Sequence, residues 1–468
     1  MNDEYDLIII GGGAGAFAAA IRANELKAKT LMVNNGLPLG GTCVNVGCVP
    51  SKTLLWAGEV MYQAKHHNIP GIEIEVKNFD FAKVVQDELV LVEKLRAEKY
   101  ETVLKHLEHV THIDGKITFV SPNEVEVNGQ KYQAKKFIIA AGSTATIPPI
   151  EGIKEVGYLT HIEALQIKLL PKELIVVGAG PLGLEFAQMY ARFGTKVTIL
   201  QRNVSIFPPA ERELTDRLSE ILTKEGIAIK TNVQVKSVRK EGNKKVLIYV
   251  IQDKQEEVST DEILLATGKT PNTQGLELDK AGVEIDEKQA IKVNPQFQTS
   301  QQHIYAVGDV INLPIRQEPT AGREGTLATE NALSSTNNSI DYNTVPWTIF
   351  TDPQLAGVGF TEEEQMKRFG TCMCKTVSFT DVPKALMMNR TEGLIKMAIH
   401  PKTKVILGVH ILAPNAGDLI AQAMVLVKNK NTTEDVINSL PMFPTLSESI
   451  KIAALSFTKD ITKLSCCI

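Results

Sequence analysis

The chain has 468 residues, more than one ordinary core organises, and its 43% hydrophobic and 22% charged composition belongs to a soluble globular protein of about three domains rather than a disordered one. Fifty Lys and Arg against 54 Asp and Glu leave a net charge of -4, which supplies no basic field for nucleic acid or an anionic membrane. No apolar run reaches the roughly 18 residues of a membrane span, and the acidic start Met1-Asn2-Asp3-Glu4 is unlike a targeting peptide, so a cytoplasmic location is expected.

Tyr5 to Ile10 is an apolar, β-rich run. Gly11-Gly12-Gly13-Ala14-Gly15-Ala16 and an Ala-rich stretch follow it, then a second strand pattern at Thr30 to Val33. Strand, Gly-rich turn and helix in this order form the first unit of a dinucleotide-binding fold. Its glycines let the backbone approach a pyrophosphate, whose charge sits at the helix N-terminus. Ala16 stands at the third glycine position, and Asn34 stands where an acid usually holds the ribose hydroxyls.

The segment Gly40-Gly41-Thr42-Cys43-Val44-Asn45-Val46-Gly47-Cys48-Val49-Pro50-Ser51-Lys52 follows. Two thiols five apart at the expected start of a helix, with Lys52 nearby, favour a reactive thiolate. Placed directly after a nucleotide turn, such a dithiol can take electrons from a flavin.

Phe137 to Gly142 closes the first unit by a strand-to-glycine device, and the whole pattern then recurs. Leu174 to Val177, Gly178-Ala179-Gly180-Pro181-Leu182-Gly183 and the strand Lys196 to Leu200 repeat it, and Leu264 to Gly268 closes it. Two fingerprints in the same context predict two dinucleotide sites. In the second, Gln201 replaces the ribose acid and Arg202 supplies a cation for a 2′-phosphate, which favours NADPH over NADH. Tyr305-Ala306-Val307-Gly308-Asp309 is a strand that ends on a carboxylate placed for a cofactor hydroxyl.

From Thr344 the pattern changes to strands and two helices, Asn415 to Lys428 and Thr433 to Leu440, with no nucleotide signature. The expected fold is α/β, with two Rossmann-like dinucleotide-binding domains and a C-terminal α+β dimerisation domain. The expected divisions are 1–150 and 274–343 for FAD, 151–273 for NAD(P)H, and 344–468 for the interface. The six cysteines fall in three close pairs, which in a reducing compartment suggests redox chemistry or soft-metal binding. Cys372 and Cys374 share one face of a strand, about 7 Å apart and thus far for a disulfide. With no support elsewhere in the sequence, they read as an incidental edge pair.

Both Gly fingerprints, the dithiol block, the Tyr-Ala-Val-Gly-Asp element and the closing domain together resemble the FAD-dependent pyridine nucleotide-disulfide oxidoreductases, which include glutathione reductase, lipoamide dehydrogenase and mercuric reductase. The resemblance spans essentially the whole chain. It implies FAD at Gly11, Gly13, Ala16, Asn34, Gly41, Thr42 and Gly142, with Asp309 at the ribityl chain. It implies NADPH at Gly178, Gly180, Gly183, Gln201, Arg202 and Gly268. It also makes Cys48 the flavin-proximal thiol, Cys43 the interchange thiol, Lys52 the lysine near the flavin, and Glu185 the acid paired with it. A homodimer with shared active sites follows from the same likeness.

Two features of the C-terminal part direct the substrate. Disulfide-reducing members carry a His-Pro-…-Glu segment whose His shuttles a proton, whereas here the matching residues are Phe443-Pro444 and Glu448, and no His follows His410. The chain ends Ser465-Cys466-Cys467-Ile468, a vicinal thiol pair suited to a soft metal ion. That ending is similar to the C-terminus of mercuric reductases, as is Tyr100 to one of their active-site tyrosines. The likeness implies reduction of Hg(II), bound as a small-thiol complex, to Hg(0) by NADPH through FAD and the Cys43–Cys48 pair. Cys466 and Cys467 of the partner subunit would deliver the metal. The alternatives are a flavoprotein reductase of a small disulfide or thiol-reactive electrophile, and a metal-binding role alone.

Overall fold

The computed structural model describes residues 4–465, so Cys466 and Cys467 lie outside the described residues. The first unit begins with β1 (Glu4–Ile10), α1 (Ala14–Glu25) and β2 (Thr30–Asn34), as the periodicity predicts. Next come α2 (Gly41–Val46), α3 (Cys48–His66) and α4 (Phe81–Arg96). The strands β3 (Val110–Asp114), β4 (Ile117–Ser121), β5 (Glu124–Val127) and β6 (Gln130–Ile139) complete a sheet of order β3-β2-β1-β6-β5-β4, with the strand Ile304–Ala306 added parallel to β6. Leu7, Ile8, Ile9 and Ile10 of β1 are all buried, so the strand is apolar on both faces, as a parallel strand covered on both sides must be. Its core gathers side chains from 5–139 and again from 276–332.

The second unit repeats the device with β7 (Glu173–Val177), α5 (Pro181–Phe193), β8 (Lys196–Leu200), β9 (Ala228–Lys230) and β10 (Glu262–Leu265), all parallel in the order β9-β8-β7-β10. The helix α6 (Glu318–Ser334) then returns to pack on α1. In the last unit β11 (Trp347–Ile349), β12 (Gln354–Gly359), β13 (Met373–Ser378), β14 (Leu394–Ile399) and β15 (Ile406–Ala413) form an antiparallel sheet of order β11-β12-β15-β14-β13. The helices α7 (Glu362–Phe369), α8 (Ala416–Lys428) and α9 (Glu448–Leu455) belong to this unit. The helix expected over Thr433 to Leu440 ends at Ile437, because the chain must leave helical geometry ahead of Pro441. Among the described residues no helix is long and apolar enough to cross a membrane.

One residue breaks the pattern of α4. Its buried stripe is Phe81, Val85, Glu88 and Val92, which puts a carboxyl where the spacing calls for an apolar side chain. Glu88 is 0% exposed and neither of its oxygens has a hydrogen-bond partner among the described residues. Burial alone pushes its carboxyl up to about 7. The folded chain therefore keeps a proton that the unfolded chain releases near pH 4.5. Stability is full below that pH, declines as the pH rises to about 7, and is level above it; the loss is about 3 kcal/mol. We expect the stability of Glu88→Gln relative to wild type to grow by about that amount between pH 4 and pH 8. Urea midpoints at the two pH values measure this, and an unchanged difference would show that the folded carboxyl titrates as it does in the unfolded chain.

Candidate active site

The two Gly-rich turns are built the same way. Gly178 has φ +108°, and a Cβ on it would lie 2.3 Å from the Ala266 carbonyl oxygen, so no other residue fits. The helices that follow start at Gly13 and Gly180, neither of which caps its helix with a side chain, so their first N–H groups face outward. A Cβ on Gly180 would meet nothing within 4 Å, and one on Gly13 would meet only Gly41 Cα at 3.8 Å. Uncapped donors beside open space are what a pyrophosphate requires.

The first turn opens on a cleft of about 1090 Å³ lined by Gly11, Gly13, Asn34, Gly41, Thr42 and Gly142, all of them expected there. Ala16 is buried inside α1 and serves packing instead. Asn34 donates from Nδ2 to the Leu37 carbonyl (3.0 Å) and to Asp114 Oδ1 (3.2 Å). The carboxylate missing at position 34 thus stands one strand away on Asp114, which no local pattern marks. Asp309 accepts a 2.6 Å bond from the Ser143 hydroxyl, and Ser143 itself lines the cleft. The cleft's volume, its uncapped helix, and the carboxylates of Asp309 behind Ser143 and Asp114 behind Asn34 fit FAD.

At the second turn Gly183 lies against the Gly178 carbonyl, where a Cβ would stand 2.1 Å from the oxygen. Gly268 (φ +117°) closes the unit with open space beside it. Gln201 and Arg202 do not act together. Gln201 is buried and spends its amide on the Ser205 carbonyl at 3.2 Å. Arg202 is exposed and makes no ion pair among the described residues.

The dithiol differs from the expectation of a single helix start. The chain makes two helices: Cys43 sits in α2, Gly47 breaks the path, and Cys48 is the first residue of α3. A Cβ on Gly47 would lie 2.8 Å from the Thr42 carbonyl, which explains why glycine makes the break. Both cysteines are free thiols in contact with each other. The hydrogen bond from Cys43 holds the Cys48 thiol below its ordinary value, with the Lys52 charge adding to this against the opposing effect of burial. Cys43 is held up, first by donating that bond and then by burial. Cys48, at an uncapped helix N-terminus, is therefore the more acidic thiol of the pair.

Lys52 Nζ stands 2.7 Å from Glu185 Oε2 and 4.7 Å from the centre of the Phe350 ring. Glu185 is only 5% exposed, and its other oxygen accepts the Phe350 N–H at 2.9 Å. One carboxylate of α5 thereby fixes a lysine of the first unit and a backbone donor of the last. Tyr100 packs edge-on against Phe17 at 4.9 Å. Burial, then the charges of Cys43 and Glu318, push its phenol up to about 12. Glu318, the first residue of α6, raises both thiols as well; no local pattern marks it, because it arrives from a distant segment. Phe443 is partly exposed, at 39%.

Comparison with known proteins fits this geometry. Residues 5–325 match the pyridine nucleotide-disulphide oxidoreductase family, and residues 345–454 match its dimerisation domain. The chain is 38% identical over 466 residues to the mercuric reductase of Lysinibacillus sphaericus, covering 100% of this chain and 85% of that protein. It is 35% identical to the mitochondrial dihydrolipoyl dehydrogenase of Pisum sativum, covering 97% and 92%. Its structure superposes with a TM-score of 0.86 on the HOCl-induced flavoprotein disulfide reductase RclA from Escherichia coli, at 26% identity, covering 97% of this chain and 100% of that one. The protein uses FAD and NAD(P)H and assembles as a homodimer. The chain belongs to the pyridine nucleotide-disulphide oxidoreductases and is an FAD-dependent oxidoreductase of that family.

Proposed function

We propose that the enzyme reduces thiol-bound Hg(II) to Hg(0) at the expense of NADPH. The observation that carries this reading is a polarised Cys43/Cys48 pair in a chain whose residue matching the proton-shuttling His of the disulfide-reducing members is Phe443. Mercuric reductase relatives at 38% identity over the whole chain support it. FAD, when bound, supplies the two-electron relay between nicotinamide and dithiol. Gly13 and Gly180 present uncapped helix ends to the two pyrophosphates, Asp309 holds a flavin hydroxyl, and Arg202 selects the 2′-phosphate of NADPH. Lys52, anchored by Glu185, places a positive charge beside Cys48. Cys43 and Cys48 take Hg²⁺ as a linear dithiolate, with Tyr100 alongside, and each release of metal restores the thiols. The sum is Hg(SR)₂, NADPH and H⁺ giving Hg⁰, NADP⁺ and two RSH, where RSH is the carrier thiol. The carrier thiolates leave in the exchange that loads Cys43 and Cys48, and the reduction itself expels a neutral atom, so that step runs without a histidine.

Cys466 and Cys467 of the partner subunit deliver the metal in this scheme, exchanging it from small thiols and passing it to Cys43 and Cys48. The test is Hg²⁺-dependent NADPH oxidation in excess thiol with volatile mercury trapped, and with glutathione disulfide and lipoamide as controls. Stoichiometric NADPH loss with mercury leaving solution is the expected result; consumption of a disulfide with no mercury released overturns it. Replacing both terminal cysteines with Ala removes a tethered donor, and we expect turnover of thiol-bound Hg²⁺ to fall at least about tenfold. Reduction of the flavin by NADPH should be unchanged. If mercury turnover survives intact, the handover is wrong.

A further inference from the structure

A second group of soft ligands lies in the C-terminal unit, away from the flavin cleft. Cys372 and Cys374 bracket Met373 at the start of β13, the edge strand of its sheet, and both are free and half-buried. Ten residues earlier the chain places Glu362 at the first turn of α7, which Thr361 and Glu364 close with a capping box. The first turn of that helix and the start of the edge strand place the three side chains together. One carboxylate oxygen and both sulfurs lie within 4.8 Å of one another.

The carboxylate is held from behind. Glu362 Oε1 accepts from the Cys372 thiol at 3.2 Å, while Oε2 accepts from Lys396 Nζ at 2.6 Å. Lys396 is almost fully buried and also pairs with Glu211 (3.1 Å) and Glu213 (3.5 Å). One oxygen is thus fixed by Lys396 and the other is aimed at the thiols, so the carboxylate is oriented as a metal ligand must be. Three carboxylates around one ammonium leave the cluster net negative. The donor set of two sulfurs and one oxygen is matched to thiophilic cations and poorly matched to Mg²⁺ or Ca²⁺. Residues two apart on a strand also stand about 7 Å apart, which disfavours a disulfide as the purpose of the pair. None of the three residues lines the cofactor cleft, so the cluster is a holding site and not a place of turnover.

We propose that Glu362, Cys372 and Cys374 form a second soft-metal site that takes one thiophilic divalent cation of the Zn²⁺, Cd²⁺, Hg²⁺ class. The two thiol protons leave as the ion binds; when the ion arrives as a bis-thiolate complex, its carrier thiolates take them up. The site does not depend on the mercury reading of the catalytic centre.

The test uses the FAD-loaded dimer and Cd²⁺ as probe. Wild type should bind one more Cd²⁺ per protomer than Cys372→Ser/Cys374→Ser, and Cd²⁺ should protect Cys372 and Cys374 from alkylation, read by mass spectrometry of the separated peptides. Glu362→Gln should weaken that binding at least about tenfold. Reduction of the flavin by NADPH, equal in all the proteins, shows that the variants are folded. Equal Cd²⁺ stoichiometry in wild type and the double variant overturns the proposal, as does alkylation of the two thiols at an unchanged rate. Full affinity in Glu362→Gln overturns the three-ligand site.

Discussion

Arg192→Met should cost about 3–5 kcal/mol, the largest loss of stability we expect from a single side chain outside the cores. Arg192, near the end of α5, grips Glu225 with two nitrogens at 2.9 and 3.1 Å and reaches Asp352 Oδ2 at 3.0 Å. Its guanidinium also covers the Tyr62 ring of α3 at 4.2 Å. All three charged groups are buried, with Arg192 and Glu225 at 4% and 5% exposure and Asp352 at 10%. Gln188 adds hydrogen bonds to Glu225 and to the Asp352 carbonyl, and Arg390 pairs with the other Asp352 oxygen. Removing the guanidinium leaves Glu225 buried with only a neutral amide for company, and that uncompensated charge carries most of the cost. Arg192→Lys keeps the charge but loses the planar fork, so it should fall between the two proteins. Denaturant midpoints at fixed dimer concentration measure the series. A variant with methionine that unfolds with wild type would mean that apolar packing, and not this ion cluster, joins the three units. Glu185 lies two turns earlier on the same helix, so this seam also sets where Lys52 is held.

The parts of the molecule that were legible in sequence are those encoded by neighbours in the chain. The Gly-rich turns, the strands that precede them and the thiols at 43 and 48 each announce themselves within about fifteen residues, since a tight turn or a helix N-terminus is a local object. Lys52 stood out locally beside the thiols, but Glu185 was found only through resemblance, because nothing local in α5 distinguishes an acid that meets a lysine from one that meets water. Contacts made by folding were not visible. Asp114 reaches Asn34 because β3 pairs with β2 in a register that no single strand dictates. Glu318 reaches the thiols because α6 returns to pack on α1. The edge pair at 372 and 374 looked incidental for the same reason: its third ligand comes from a helix in a different periodic segment. The break at Gly47 was hinted at by the glycine itself, but its consequence, two helices with the more acidic thiol at the start of the second, depends on the close approach to Thr42.

Phe443→His should raise turnover of a small disulfide at least about a hundredfold while leaving turnover of thiol-bound Hg²⁺ nearly unchanged. Reducing a disulfide expels a thiolate that must be protonated before it leaves, and a positioned acid is worth about 10²–10⁴ in such a step. Reducing Hg²⁺ expels a neutral atom, and the same acid gains nothing. The chain retains the rest of the apparatus. Position 443 is followed by Pro444, and Glu448, at the start of α9, is buried. Its Oε2 accepts the Thr445 N–H at 3.2 Å, and its Oε1 carries no hydrogen bond among the described residues. A carboxylate in that condition can orient an imidazole and stabilise its charged form. The gained activity should carry a pH limb near the ordinary imidazole value of about 6.5, and the mercury reaction should lack it. Loss of that limb in Phe443→His/Glu448→Gln, with the protein still reduced by NADPH, would tie the two residues together as donor and positioning group. If Phe443→His reduces disulfides no faster than wild type, then the proton reaches the dithiol by another route, and the residue at 443 does not decide between metal and disulfide. If mercury turnover rises in step with disulfide turnover, a proton transfer limits both reactions and the mercury step is not the proton-free one argued above.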